Sequence, residues 1–442
     1  MGTCKTRNSE IAAASDRKES GNAVRRVVVI GGGAAGLMAA VKAAECGARV
    51  TLLEANEKPG KKLLVTGNGR CNLTNLDQSD PKRYRGADKK FTDAVFAKFS
   101  VQDTLDCFRA AGLLLTDRDG YVYPLVGQAS AVVEILLAEC RRKKVKLKTN
   151  ERAVSIERKN GEWSVLTQGW HYEADAVVIA AGSKAAPATG AGSGGYQLAE
   201  QLGHRIVPVH EALTPLISGD RFVKKLAGLR MRSRVTLEIR KGSKDPWREI
   251  TSEVGEVQWT EYGISGICVF QLSRYAIDAI NAGEQAQLRL DLMPALTMEE
   301  LKRELLTRPA DDSVGKYLTG LLPAKMIPVL LQRMDLRPEQ RAEMLTEKEL
   351  DRMAVQVKEF TLAVTGNKGC EMAQVCAGGV DTAELAVGTL ESTRCPGIYF
   401  AGELIDVDGK CGGYNLQWAW SSGAVAGRNA AGEKEEKKEC FE

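Results

Sequence analysis

Near its start the chain changes hydrophobic pattern sharply. Val27-Val28-Val29-Ile30 is an unbroken apolar run, as expected for a strand buried on both faces of a parallel sheet. Glycines follow at once. Small and apolar residues over 34–46 then predict a helix, ended by Gly47 at a C-cap position. The stretch Arg49-Val50-Thr51-Leu52-Leu53-Glu54 predicts a second strand, so residues 25–55 read as one βαβ unit. Later apolar runs predict strands at 165–167, at 176–180 leading into Ala181-Gly182, and at 397–402.

Between these the pattern differs. Residues 214–257 are strand-like and broken by charges and glycines, as in Arg234-Val235-Thr236-Leu237-Glu238-Ile239. Residues 298–358 carry Glu, Lys, Leu and Met at helical spacing, punctuated by Pro309, Pro323 and Pro338. A β-rich piece followed by a helical one predicts an insertion into a domain that closes only near the end of the chain. The expected fold class is α/β: a discontinuous Rossmann-type domain over 25–205 and 360–432, with an inserted β-rich domain (206–297) and a helical subdomain (298–359). Residues 1–24 are expected to be a disordered tail and 433–442 a charged one. No repeat of solenoid type is visible.

Composition narrows the function classes. The chain has 442 residues, enough for two or three domains. It carries 61 basic and 57 acidic residues, a net charge of +4, too even to suggest a nucleic-acid or membrane-surface binder. The basic run at 141–148 is expected to be a solvated helix end and edge strand, where lysines also block unwanted pairing. Eleven cysteines contain no CxxC pair and there are only three histidines, so no metal set can be drawn and reduced, cytoplasmic thiols are expected. No apolar run reaches the ~18 residues of a membrane span. The polar first residues, with Glu10, Asp16 and Glu19, lack the apolar core of a signal peptide, and Met1-Gly2-Thr3-Cys4-Lys5-Thr6 fits a myristoylation pattern only formally.

The candidate chemistry begins at Gly31-Gly32-Gly33-Ala34-Ala35-Gly36, a GxGxxG between strand and helix. Its glycines serve a tight turn, close approach to a pyrophosphate, and close helix–strand packing. The helix start offers free N–H groups and a positive dipole end to phosphates. Glu54 ends the second strand, where a carboxylate accepts from ribose hydroxyls and disfavours a 2′-phosphate. Gly31, Gly33, Ala35, Gly36 and Glu54 are therefore cofactor-binding candidates, for FAD or NAD(H).

Two further blocks separate these cofactors. One is the polar glycine-rich loop at 61–75, containing Lys62, Gly67, Gly69, Arg70, Cys71, Asn72 and Thr74; the other is Gly402-Glu403-Leu404-Ile405-Asp406-Val407-Asp408-Gly409 with Gly412-Gly413-Tyr414-Asn415-Leu416-Gln417-Trp418-Ala419-Trp420. Here the chain closely resembles, over about residues 27–427, a bacterial family of FAD-dependent oxidoreductases that includes aminoacetone oxidases and the 3-dehydro-bile acid reductases of gut anaerobes. The resemblance implies FAD as cofactor. It places Gly402 and Glu403 near the ribityl and pyrophosphate, and the Gly412-Gly413-Tyr414-Asn415 turn at the flavin N1–C2=O edge, where a helix start stabilises negative charge. It runs the 67–74 loop beside the isoalloxazine ring, with Arg70 and Asn72 as polar contacts. Ala181-Gly182 passes near the pyrophosphate, and Val154 sits where a backbone group touches the adenine.

Plainer readings stand beside these. Arg70 suits a surface ion pair, Asn72 or Thr74 a turn cap, Cys71 a small packing position, and Trp418 and Trp420 a helix core. Asp406 and Asp408 are buried-acid candidates near the flavin. A second GxGxxG, Gly190-Ala191-Gly192-Ser193-Gly194-Gly195, does not follow a strand directly; it is expected to shape the substrate side of the pocket. The resemblance implies a histidine and a proline, as in many family members, in the block matching 260–267, where this chain has Glu261 or Tyr262 and Ile267.

The expected reaction is reduction of an activated C=C in a 3-oxo steroid or bile-acid-like small molecule, with NAD(P)H as a transient electron donor because no nicotinamide domain is visible. Tyr414 and Asp406 are the catalytic candidates, with Tyr262 or water as other proton sources. Two alternatives remain: an amine oxidase of the aminoacetone type, and a non-catalytic or RNA-associated flavoprotein, which the near-neutral charge opposes.

Overall fold

The computed structural model describes residues 24–80 and 82–432. Most of the N-terminal tail with its myristoylation pattern, and the charged C-terminal tail, lie outside the described residues.

A five-stranded parallel sheet forms the base, in the order Ile398–Phe400, Ala176–Ile179, Arg26–Ile30, Arg49–Leu53, Lys146–Lys148. The first strand lies centrally, with Val28 opposite both Val177 and Thr51. Its continuous apolar run is buried on both faces, as parallel sheets require. The basic run resolves into the last turn of helix Ala129–Arg142 and the exposed edge strand Lys146–Lys148.

Two helices define the site. Helix Ala34–Glu45 leaves the first strand, and helix Tyr414–Ala430 crosses it closely. A Cβ on Gly423 or Gly427 would lie 2.3 Å from the carbonyl oxygen of Ala35 or Ala39. The last long helix is thereby clamped to the first, and this closes the discontinuous domain.

The insertion is built on a seven-stranded antiparallel sheet, ordered Phe360–Val364, Gln285–Asp291, Arg230–Arg240, Arg248–Trp259, Gly263–Ser265, Leu216–Ile217, Gly366–Asn367. Helix Ile267–Asn281 and the helices Met298–Thr307, Met326–Arg333 and Glu347–Lys358 complete it. Its hydrophobic cluster is separate from that of the parallel-sheet domain.

Both expected edges of the insertion shift. Phe360–Val364 belongs to the seven-stranded sheet, because its alternating side chains pair with Gln285–Asp291. Ile206–Ala212 instead pairs with Val375–Val380, outside that sheet. Helix Ile267–Asn281 interrupts a stretch expected to be purely β-rich.

Candidate cofactor and active site

The first strand delivers Gly31 to the sheet's C-terminal edge, where ligands bind in open α/β sheets. A Cβ on Gly36 would sit 1.8 Å from the Gly31 carbonyl oxygen, so only glycine lets the helix start this close to the strand. Gly33, by contrast, faces open space, with nothing within 4 Å of a built Cβ. Glu54 is buried, and both carboxylate oxygens are held by the chain. Oε2 accepts from Gly32 N at 2.7 Å; Oε1 accepts from Asn56 N at 2.7 Å and Asn56 Nδ2 at 2.6 Å. Oε1 is thereby filled, while Oε2, with one donor, keeps a lone pair toward a ribose hydroxyl.

Midway along, Glu403 projects from the turn after strand Ile398–Phe400. Its Oε2 accepts from Lys62 Nζ at 2.6 Å and from the Ser183 hydroxyl at 2.9 Å. Gly402 N donates to the Ser422 hydroxyl at 2.9 Å, and the Trp418 indole donates to Gly402 O at 3.1 Å. Segments near residues 62, 183, 403 and 422 are thus tied together at one point.

The far end is the turn before helix Tyr414–Ala430. A Cβ on Gly413, at φ +95°, would lie 2.6 Å from the Thr74 backbone, so this turn requires glycine. Asn75 Nδ2 donates to Gly412 O at 3.0 Å. The Asn72 amide, oriented to satisfy its neighbours, donates to Thr74 O (3.0 Å) and Val122 O (3.2 Å) and accepts from Gly413 N (3.3 Å). The exposed Arg70 guanidinium lies 5.8 Å from the Tyr123 ring centroid.

One cavity of about 680 Å³ runs past all three places. Its walls include Gly31, Gly33, Ala35, Glu54, Lys62, Gly67, Arg70, Asn72, Ala181, Gly182, Gly402, Glu403, Gly412, Gly413 and Asn415. Small-molecule pockets span ~300–1,000 Å³. An acid at one end, open glycine faces in the middle and a helix start at the other end suit an extended dinucleotide. The residues that line it therefore fit FAD.

Other sequence candidates fall elsewhere. Tyr414 is buried off the cavity wall; its hydroxyl donates to Asp77 O at 2.8 Å, and burial pushes the phenol up to about 12. Asp406 also lies off the wall, accepting from Gly378 N at 3.1 Å, with its pKa raised by burial. Neither expected catalytic group faces the cavity. Asp408, only 1% exposed, contacts Arg274 and Arg85. Cys71 is fully buried and its thiol is pushed up to about 12 by burial, a packing position. Thr74 donates to Gln417 Oε1 at 2.6 Å inside the core, and Gly36 and Gly69 line no part of the cavity. Near Glu54 the consecutive residues Glu151, Arg152 and Ala153 reach the wall, where the strand Ala153–Lys159 begins, and the half-exposed Val154 does not. Trp418 and Trp420 are helix core. Tyr262 lies beneath Lys368 and off the wall.

The second GxGxxG, expected to shape the substrate side, lines the same cavity and packs against Asn56, a donor to Glu54. A Cβ on Gly190 would meet the Asn56 side-chain amide at 2.3 Å, because this segment leaves a strand adjacent to the first. Sequence reasoning missed Ser183, Tyr121, Tyr123, Leu213, Gln374 and Cys411, all on the wall. The alternation Tyr121-Val122-Tyr123-Pro124 was the one local signal for a half-buried strand there. Among the described residues no group of three or more His, Cys, Asp or Glu side chains could hold a metal ion, and no helix is long and apolar enough to cross a membrane.

A family model described as the HI0933-like protein Rossmann domain matches residues 25–429. The chain is 38% identical over 413 residues to the 3-dehydro-bile acid delta(4,6)-reductase of Clostridium scindens, covering 92% of this chain and 99% of the relative. It is 30% identical over 398 residues to the ribosomal RNA dihydrouridine synthase of Escherichia coli, covering 89% and 95%. A solved 3-ketosteroid delta1-dehydrogenase from Sterolibacterium denitrificans overlays with TM-score 0.48 at 14% identity, covering 93% of this chain and 100% of that one.

Proposed function

The chain belongs to the HI0933-like Rossmann-domain family, and from that premise we propose that it reduces a carbon–carbon double bond conjugated to a carbonyl in a steroid-like small molecule. It is an FAD-dependent oxidoreductase. Gly31, Gly33, Glu54, Glu403 and the Gly412-Gly413 turn would hold the cofactor, which when bound supplies hydride transfer between a nicotinamide donor and the substrate.

The observation that carries this reading is the character of the wall beyond the Gly412-Gly413 turn. Tyr121, Tyr123, Leu213 and Ile267 line it, and Ile267 leaves 60% of its surface exposed on the first turn of the inserted domain's helix. An apolar side chain left open at a cavity suits a flat, apolar substrate. The relative named as a bile acid reductase acts on such a molecule. The chain's role toward it is to position the rings against the cofactor and limit water. Oxidised and reduced nicotinamide would reach the cofactor from the same open side.

A second reading is favoured by the relatives named as dihydrouridine synthases. The uracil ring also holds a double bond conjugated to a carbonyl, so the same chemistry would serve, and exposed Arg70 suits a phosphate. The apolar wall favours the steroid.

Anaerobic reduction of the purified yellow protein tests this. NADH or NADPH should bleach the flavin, and a 3-oxo-4,6-diene steroid should restore its colour. Recolouring by uridine-containing RNA and not by the steroid supports the second reading. Bleaching by aminoacetone but by no nicotinamide overturns both.

A further inference from the structure

We infer that the Tyr121 hydroxyl donates a hydrogen bond to the substrate's carbonyl oxygen and stabilises the charge that develops there during reduction. This rests on the proposed reduction of a conjugated double bond. With Tyr414 committed to Asp77 and Asp406 off the cavity, neither catalytic group expected from the sequence reaches the carbonyl.

Tyr121 opens the strand Tyr121–Pro124, held on one side by Leu115–Arg118 and on the other by Thr74–Asn75. Its backbone partner is Asn75, whose side chain grips Gly412 O. The ring packs on Gly412 so closely that a Cβ there would lie 2.6 Å from Tyr121 Cε1. The phenol is therefore braced against the turn where the flavin end of the cavity stops, and it lines that cavity. Among the described residues no protein group hydrogen-bonds its hydroxyl. Tyr123 lies two residues along the same strand, with the Arg70 guanidinium 5.8 Å from its ring centroid.

The charge state agrees. Burial raises the Tyr121 pKa first, and Cys411, Tyr123, Asp119 and Glu253 around the phenol raise it further. Cys411 beside it is itself pushed up to about 11 by burial, so both groups keep their protons near neutrality. A neutral phenol with an unused O–H donates to a carbonyl oxygen, which an acceptor-only carboxylate in its place could not do.

Hydride, with its electron pair, adds to the β-carbon; both electrons originate from the reduced nicotinamide. The π pair of the double bond then moves so that a C–C double bond forms at the α-carbon and the carbonyl π pair settles on oxygen. Tyr121 holds that oxyanion by its O–H. The α-carbon takes a proton from water entering at the open mouth, and the carbonyl re-forms. One hydride and one proton are added in total. Loss of one such donor lowers rate by ~10²–10³.

Tyr121→Phe keeps the ring on Gly412 and removes only the donor. In rapid mixing under anaerobic conditions, bleaching by the nicotinamide should match the wild type, while recolouring by a 3-oxo-4,6-diene steroid should slow about 100-fold. Separately from turnover, a saturated 3-oxo steroid titrated against the oxidised flavin spectrum should bind about tenfold more weakly, the worth of one hydrogen bond. Recolouring and binding both at wild-type values would overturn the assignment. Wild-type protein that no enone recolours would overturn the proposed reduction itself, and this assignment with it. If Tyr121→Phe retains no FAD, the titration is repeated with Tyr121→His, which restores a donor; tight ketone binding there supports the role, and binding no better than to Tyr121→Leu overturns it.

Discussion

Glu54 shows how a single residue serves both fold and ligand. It holds three donors from Gly32 and Asn56, fixing the glycine loop and the following turn before any nucleotide arrives. Hydrogen bonds to a charged group contribute about 1.5–3 kcal/mol. Glu54→Ala should therefore weaken FAD binding by about 10- to 100-fold, and Glu54→Gln by less, in titration of the apoprotein by fluorescence; equal affinity in all three proteins removes the role. This acid was legible because its position after the second strand is dictated by the strand–loop–helix unit. Ser183 and Tyr121 were not, since their partners Glu403 and Gly412 stand more than two hundred residues away in the chain. His204 makes a separate prediction. It is buried between Glu384 (Nδ1–Oε2 3.0 Å) and Ser392 (Nε2–Oγ 2.8 Å), and burial lowers its pKa against the opposing pull of Glu384, with Arg394 lowering it further. The unfolded chain takes up this proton near pH 6.5 while the folded one resists it. The stability that the neutral ring contributes is thus complete above about 6.5 and is lost as pH falls toward the depressed folded value. Glu384, lowered chiefly by Arg394, titrates only at more acid pH. The melting temperature should fall between pH 6.5 and 5, and His204→Gln should flatten that slope; an unchanged slope assigns it to other groups.

At the scale of elements, contact between the first and last long helices positions both ends of the cavity. Helix Ala34–Glu45 presents the glycine fingerprint and helix Tyr414–Ala430 presents the Gly412-Gly413 turn, so their spacing sets the distance between the two sites. Gly427 packs on the Ala39 carbonyl oxygen. Gly427→Ala intrudes on that backbone, and overpacking of this kind costs about 1–3 kcal/mol. Thermal unfolding should begin at lower temperature, and FAD should be lost more readily than from an alanine substitution at the solvent-open Gly169. Equal behaviour of the two variants would mean that the helices are not clamped there. The fingerprint helix was legible from its strand and its caps. The clamp was not, because Gly423 and Gly427 sit in a helix rich in small residues where only the packing partner tells which glycines touch. Helix Ile267–Asn281 escaped for a related reason: its apolar residues follow a strand directly, with Gly266 as the sole punctuation.

At the scale of the molecule, that same helix ties the insertion to the parallel-sheet domain. Gln271 accepts from Cys411 N at 3.1 Å, Arg274 contacts Asp408, and Asp278 meets His210 at 2.8 Å. The insertion thereby holds Ile267 over the cavity mouth while keeping its own hydrophobic core. Separate cores were implied by the change of pattern along the chain, but the tie was not, because it joins an aspartate in one block to arginines nearly two hundred residues apart. Asp408 is its centre, 1% exposed, with Arg274 in contact and Arg85 at 3.7 Å. Two largely buried guanidinium groups flank this carboxylate, Arg274 also pairing with Asp278 at 3.6 Å, and burial lowers the pKa of both. Removing one partner of a buried pair leaves uncompensated charge and costs about 3–5 kcal/mol. Asp408→Asn should therefore lower the urea midpoint strongly, whereas Asp312→Asn, in the exposed pair with Lys316, should leave it unmoved. If the tie positions Ile267, Asp408→Asn should also raise the KM for the steroid more than it slows bleaching by nicotinamide. A variant with normal stability and normal KM would show that Asp408 neither joins the two units nor shapes the mouth between them.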